Sequence, residues 1–164
     1  MRLAIDAMGG DHAPGEIVRG VLLALEDGLD IEVVLVGDER QIKKHLPKSN
    51  GRLRICHTET VITAEEEPVR AIRRKKDASL VVACQMVKDK EVDAMITAGN
   101  TGAFMAAGLL IVGRIPGVDR PALAPKLPTF DRQGVLLLDA GANMDAKPEH
   151  LLQYAHMGEV YVRG

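Results

Sequence analysis

The sequence predicts an α/β fold with a mainly parallel sheet, and two observations carry that expectation. Short apolar runs of strand length alternate with segments of helical periodicity, reading β-α-β-α-β from Leu3 to His57; such alternation implies crossover connections and parallel pairing. Hydrophobic residues make up 46 % of the chain, yet it holds only two Phe, two Tyr and no Trp, so the core must be built from Val, Ile, Leu, Ala and Met. That composition suits a parallel sheet covered by helices.

The elements follow in order. Leu3 to Ala7 is a strand ended by Met8-Gly9-Gly10-Asp11-His12-Ala13-Pro14. Pro14 suits a helix start, and Ile17, Val18, Val21, Leu22 and Leu25 recur at helical spacing until Asp27-Gly28 stops the helix. Ile31 to Val36 is a second strand, and Asp38 caps a short polar helix reaching about Leu46. Pro47 to Gly51 carries turn chemistry, and Leu53 to His57 is a third strand. The acidic run Glu65-Glu66-Glu67 precedes Pro68, which opens a short helix ending in Arg70, Arg73, Arg74, Lys75 and Lys76. Asp77 is the expected cap of the next helix, Leu80 to Lys88.

The chain is organised around Glu91 to Gly113, which reads as strand, tight turn and helix. Val92, Ala94, Met95 and Ile96 form the strand, Gly99-Asn100-Thr101-Gly102 the turn, and an alanine-rich segment the helix. Asn100 or Thr101 caps it, and the glycines allow a close backbone approach. The unpaired N–H groups and positive dipole end of such a start favour anions, although any α/β turn would read alike. Beyond it, Arg114 to Pro121 is a loop, Ala122 to Leu127 and Gly134 to Leu138 are expected strands, and Pro148 opens a last helix. That helix runs to Gly164 without a cap or closing strand, so a fragment is expected.

Bulk properties exclude several classes. A length of 164 residues fits one domain, able to bury roughly two-thirds of its unfolded surface without metal or disulfide. A net charge of -2 gives no reason to expect nucleic acid. Cys56 and Cys84 lack C-x-x-C spacing and read as structural thiols of a reducing cytoplasm. The start M-R-L-A-I-D lacks the pattern of a secretory leader, and no apolar run reaches membrane-spanning length.

In a parallel sheet, strand-to-helix turns share the carboxyl edge, so the D-A-M-G-G-D-H, A-G-N-T-G and D-A-G-A-N loops are expected on one rim. That rim would offer Asn100, Asn143 and Thr101 as neutral donors, and Asp6, Asp11, Asp139 and Asp145 as acids. Lys147, His12 and His150 would be its cations or proton carriers. Neither G-x-G-x-x-G nor a P-loop is present, so composition and spacing stop at an anion-binding α/β site.

The stretches A-I-D-A-M-G-G-D-H-A-P, E-P-V-R-A-I-R-R-K-K-D, A-G-N-T-G-A followed by R-P-A-L-A, and D-A-G-A-N with K-P-E-H-L-L-Q resemble bacterial phosphate acyltransferase. The resemblance covers essentially the whole chain but only the N-terminal half of that family's length. It implies a single α/β domain over 1–164, of three-layer α-β-α build, with a Rossmann-like sheet similar to phosphotransacetylases and isocitrate dehydrogenases.

It further implies transfer of a long-chain acyl group from acyl carrier protein to inorganic phosphate, with no cofactor and no metal. The acyl phosphate would serve a membrane glycerol-phosphate acyltransferase. The family habit is a cytoplasmic homodimer, loosely associated with the inner membrane face. On that reading His12, Asn100, Asn143, Lys147 and His150 carry the catalytic roles. Gly9, Gly10, Asp11, Gly99, Thr101, Gly102 and Gly141 shape the substrate site, while Asp6 and Asp139 orient loops. Arg73, Arg74, Lys75 and Lys76 would dock the acidic carrier by electrostatic steering. Phe104, Met105, Leu109 and Leu110 are possible walls of an acyl groove. The rivals are a phosphotransacetylase-like or dehydrogenase-like enzyme on a small substrate, and a non-catalytic module holding acyl or phosphate.

Overall fold

The computed structural model describes residues 1–46 and 51–164, so the expected turn from Pro47 to Gly51 falls mostly outside the described residues. The chain divides into two compact units, Met1–Gly113 and Arg114–Gly164.

In the first unit four parallel strands, β1 (Arg2–Asp6), β2 (Glu32–Gly37), β3 (Leu53–His57) and β4 (Ala94–Ile96), form a sheet in the order β3-β2-β1-β4. The register sets Ile5 beside Leu35 on one side and Ile96 on the other. Because successive side chains point to opposite faces, the strand sequences sort themselves into two cores. Leu3, Ile5, Val33 and Leu35 meet Val18, Val21 and Leu25 of α1 (Gly15–Glu26), together with Ile42 of α2 (Glu39–Lys43). Ala4, Val34 and Val36 meet Ala83 and Met86 of α4 (Ser79–Lys88). Both faces of β1 and β2 are therefore covered, which is why Leu3–Ile5 and Val33–Val36 are apolar without alternation, whereas edge strand β3 carries the exposed Arg54.

A third cluster packs α3 (Pro68–Arg74) and α4 against α5 (Thr101–Ala107) through Ile72, Leu80, Val81, Cys84, Ala103 and Ala107. The alanines let α5 approach closely. The helix loosens into one π-helical turn, Gly108–Val112, and Gly113 at φ 97° ends it, a backbone state that suits glycine.

The cap of α4 differs from expectation. Ala78 occupies the N-cap position, while Asp77 accepts the Thr60 hydroxyl at 2.6 Å. A carboxylate beside a helix start can serve a neighbouring loop as readily as the helix itself.

The second unit departs further. The expected strands at 122–127 and 134–138 shrink to β5 (Lys126–Leu127) and β6 (Val135–Leu136), which pair antiparallel in a sheet of their own. The continuous Val/Leu run at 134–138 reads as a buried strand, yet Val135 and Leu137 are exposed; such a run says nothing about which sheet a strand will join. The last helix, α6 (Pro148–Arg163), begins at Pro148 as expected.

Candidate functional site: the glycine loops of β1 and β4

Strands β1 and β4 are parallel neighbours, so the loops leaving their carboxyl ends lie side by side. At their junction sits Asp6, only 2 % exposed. A buried carboxylate is tolerated when donors satisfy it, and Asp6 has them from three directions. The Ser79 hydroxyl donates to Oδ1 at 2.6 Å, the Thr97 hydroxyl to Oδ2 at 2.8 Å, and the Met8 amide to Oδ1 at 3.2 Å. Thr97 Oγ1 in turn accepts the Gly99 amide at 3.0 Å.

The glycines here are sterically required. A Cβ on Gly9 would lie 2.6 Å from Asp6 Oδ2 and 2.9 Å from the Gly99 nitrogen, and one on Gly99 would come within 3.2 Å of the Gly9 Cα. Gly10 sits at φ 107°, against the Ala98 carbonyl. The D-A-M-G-G-D-H and A-G-N-T-G loops are thus brought backbone to backbone, with Asp11, His12 and Thr101 exposed around them.

Asn100 plays a different part from a free donor. As N-cap of α5 its Oδ1 accepts the Ala103 amide at 2.9 Å, and its Nδ2 donates to the carbonyls of Thr63, Ala64 and Glu66 at 3.0, 3.2 and 3.3 Å. Its amide is spent on fixing two loops. Gly102 leaves room for Pro68, whose Cγ would be 2.7 Å from an added Cβ. Its absence of side chain serves the packing of α5 on α3.

The basic helix end also resolves into two roles. Arg70, Arg73, Arg74 and Lys76 are exposed. Lys75 instead turns back, donating to the Val61 carbonyl at 2.8 Å and to Glu66 Oε2 at 2.7 Å. Its ammonium closes the 61–67 loop, a structural part the arginines beside it do not share. That hydrogen bond, with a second from the Thr63 amide, holds the Glu66 carboxyl below the usual range despite partial desolvation. Phe104 packs against the third core cluster, whereas Leu109 and Leu110 are exposed.

Within the second unit the D-A-G-A-N loop is organised by Asp139. Burial opposes its charge, but the Leu123 amide, the Asn143 side chain and the Asn143 and Ala142 amides outweigh it and hold the carboxyl below the ordinary range. Asn143 Nδ2 donates to Asp139 Oδ2 at 3.0 Å and to the Pro121 carbonyl at 2.8 Å, so it too is committed to loop structure. His150 is buried and its Nδ1 accepts the Lys147 amide at 3.1 Å, capping α6. Lys147, Gly141 and Asp145 are exposed. Since β6 belongs to a separate antiparallel pair, the shared-edge argument holds for the first two loops and does not extend to this one.

Sequence reading singled out neither Ser79 nor Thr97. The signal was indirect: an aspartate ending a buried strand must find donors, and a Thr two residues before a glycine turn is a natural one. Among the described residues no cluster of His, Cys, Asp and Glu could hold a metal, and no helix is long and apolar enough to cross a membrane.

The parallel sheet, two-sided helical cover and interlocked glycine loops define an α/β protein of Rossmann-like build. All of residues 1–164 match the family described as "Fatty acid synthesis protein", and the chain belongs to that family. It is 63 % identical over 161 residues to the phosphate acyltransferase of Oceanobacillus iheyensis, covering 98 % of this chain and 48 % of that one. It is 58 % identical over 161 residues to the Listeria innocua phosphate acyltransferase, with 98 % and 48 % covered. With the Bacillus subtilis phosphate acyltransferase it shares 56 % over 167 residues, 100 % of this chain and 50 % of the relative. The chain spans about half the length of the curated relatives it matches.

Proposed function

We propose that the protein transfers a long-chain acyl group from acyl carrier protein to inorganic phosphate, releasing acyl phosphate for a membrane glycerol-phosphate acyltransferase. The observation that carries this reading is the unbroken match of residues 1–164 to the family, whose relatives above bear the name phosphate acyltransferase.

The chemistry asks little of the chain beyond placement. A phosphate oxygen attacks the thioester carbonyl, a C–O bond forms as the C–S bond breaks, and the thiolate leaves with a proton. Phosphate near neutral pH is already substantially dianionic, so positioning and partial desolvation matter more than a strong base. Donors are needed where charge develops on the carbonyl oxygen, each worth on the order of 3 kcal/mol. The close approach of Gly9 to Gly99 and of Gly10 to Ala98 supports this reading, because it sets the two loops side by side.

Asn100 and Asn143 act by holding loop backbones, and His12, exposed beside Gly10, carries the proton. His150 sets the start of α6 through the Lys147 amide. Arg70, Arg73, Arg74 and Lys76 form the docking face for the acidic carrier, and the active form is a cytoplasmic homodimer that meets the membrane peripherally. The test is incubation of the protein, expressed from its natural gene, with acyl carrier protein thioester and phosphate. Acyl phosphate trapped as hydroxamate supports the reading, and turnover only with acetyl-CoA or a nicotinamide cofactor would replace it.

A further inference from the structure

Asp6 is the least exposed carboxylate of the molecule's described residues and lies between the two glycine loops. Its neighbours form a relay. Ser79 from α4 and Thr97 from the β4 loop each donate a hydroxyl to it, at 2.6 and 2.8 Å, and the Thr97 oxygen then receives the Gly99 amide at 3.0 Å. Three elements far apart in sequence meet on one side chain, 73 and 91 residues away from their partner. Gly9 is pressed against the same oxygen, with no space for a Cβ.

We propose that Asp6 and Thr97 are positioning residues for acyl transfer to phosphate, setting the spacing and tilt of the Gly9–Gly10 loop against the Ala98–Gly102 loop. This rests on the acyl-transfer reading above, which gives Asp6 a general loop-orienting part and Thr97 none. A carboxylate is required because it accepts from both sides at once. An amide at position 6 would turn a donor toward either the Met8 amide or the Thr97 hydroxyl. A hydroxyl is required at 97 because it must donate to Asp6 and accept from Gly99 simultaneously. Valine keeps the shape of Thr97 but leaves the Gly99 amide and Asp6 Oδ2 without each other's bridge.

The test uses the protein expressed from its natural gene. T97V is expected to raise the phosphate KM by about tenfold, the scale of one lost hydrogen bond, with the thioester KM within about twofold and a lowered melting temperature, because the buried Asp6 carboxylate loses a donor. T97S, which keeps the hydroxyl, regains most of the loss, and D6N behaves like T97V. A uniform loss in all parameters, or a T97V enzyme with an unchanged phosphate KM, overturns the proposal. Should T97V fail to fold, S79A frees the same carboxylate from its other hydroxyl and is read by the same criterion.

A second measurement separates this proposal from the reading beneath it. Inorganic phosphate is titrated against wild type and T97V while the Gly10 and Thr101 amide resonances are followed. Shifts in wild type that vanish in T97V support the positioning role even if no acyl phosphate is made. Turnover by wild type with identical titrations of the two proteins overturns the positioning role and leaves the acyl-transfer reading standing. Neither turnover nor shifts would overturn both.

Discussion

The carboxamide of Asn100 reaches back 37 residues to the Thr63 carbonyl, 3.0 Å away, while its oxygen caps α5. One side chain thereby does two jobs that opposite substitutions can separate. N100A loses both the cap and the clamp, and should destabilise the protein by about 1 to 3 kcal/mol in chemical denaturation. N100D keeps an acceptor for the Ala103 amide but points carboxylate lone pairs at the Thr63, Ala64 and Glu66 carbonyls. It should therefore loosen the 61–67 loop at least as much as N100A, visible as faster amide exchange there, while helix α5 stays protected.

Glu66 gives a pH prediction. Its carboxyl lies below the ordinary value of 4.5, through the hydrogen bonds from Lys75 and the Thr63 amide. A group whose folded pKa is depressed contributes stability above its unfolded pKa and loses it as pH falls through the folded one. Stability should thus decline below about pH 4.5, and E66Q should flatten that part of the curve. Exposure at this site keeps the effect small. An unchanged acid limb in E66Q, measured by denaturation at several pH values, would show the pairing to be inconsequential.

Lys75 and its neighbours should respond differently to charge reversal. R70E, R73E and R74E alter exposed groups, so the expected outcome is a raised carrier-protein KM that depends less on salt, with unchanged stability. K75E strikes the Glu66 pair and should lower stability instead. Equal effects of all four on KM alone would contradict that division.

Cys84 should be chemically silent. It is 1 % exposed, its thiol donates to the Met95 sulfur at 3.1 Å, and burial, with the Asp6 charge adding, pushes it up to about 11. At pH 8 roughly one molecule in a thousand would carry the thiolate. Titration with a disulfide reagent should find the half-buried Cys56 first, with Cys84 reacting only on unfolding.

Tyr154 is buried, and its hydroxyl has no hydrogen-bond partner among the described residues. Burial and the Asp139 charge push its pKa up, with Arg120 partly offsetting them. Removing an unsatisfied polar atom relieves a desolvation cost. Y154F should therefore leave stability unchanged or raise it by up to about 1 kcal/mol, in contrast to most core substitutions.

Most of the first unit was legible in the sequence, because each strand and helix from Leu3 to Ile96 is set by local periodicity and by turns whose chemistry is local too. Asp38 as a cap and Pro68 as a helix opening are of this kind, as is Pro148 in the second unit. What was not legible depended on distant partners. The Val/Leu run at 134–138 gave no hint that it would pair with Lys126–Leu127 instead of the larger sheet. Asn100 and Asn143 looked like free donors because the carbonyls that occupy them come from residues 63–66 and from Pro121. The same holds for Lys75, indistinguishable by composition from the exposed arginines beside it.

The 61–67 loop is held by the Lys75 ammonium at Val61 and Glu66 and by the Asn100 carboxamide at Thr63, Ala64 and Glu66, the latter on the helix that starts from the glycine turn. Charge on α3 and geometry at that turn are therefore mechanically joined. A macromolecule settling on the arginines would push against a strut, not a hinge. Whatever tightening it causes would reach the turn without any segment having to refold.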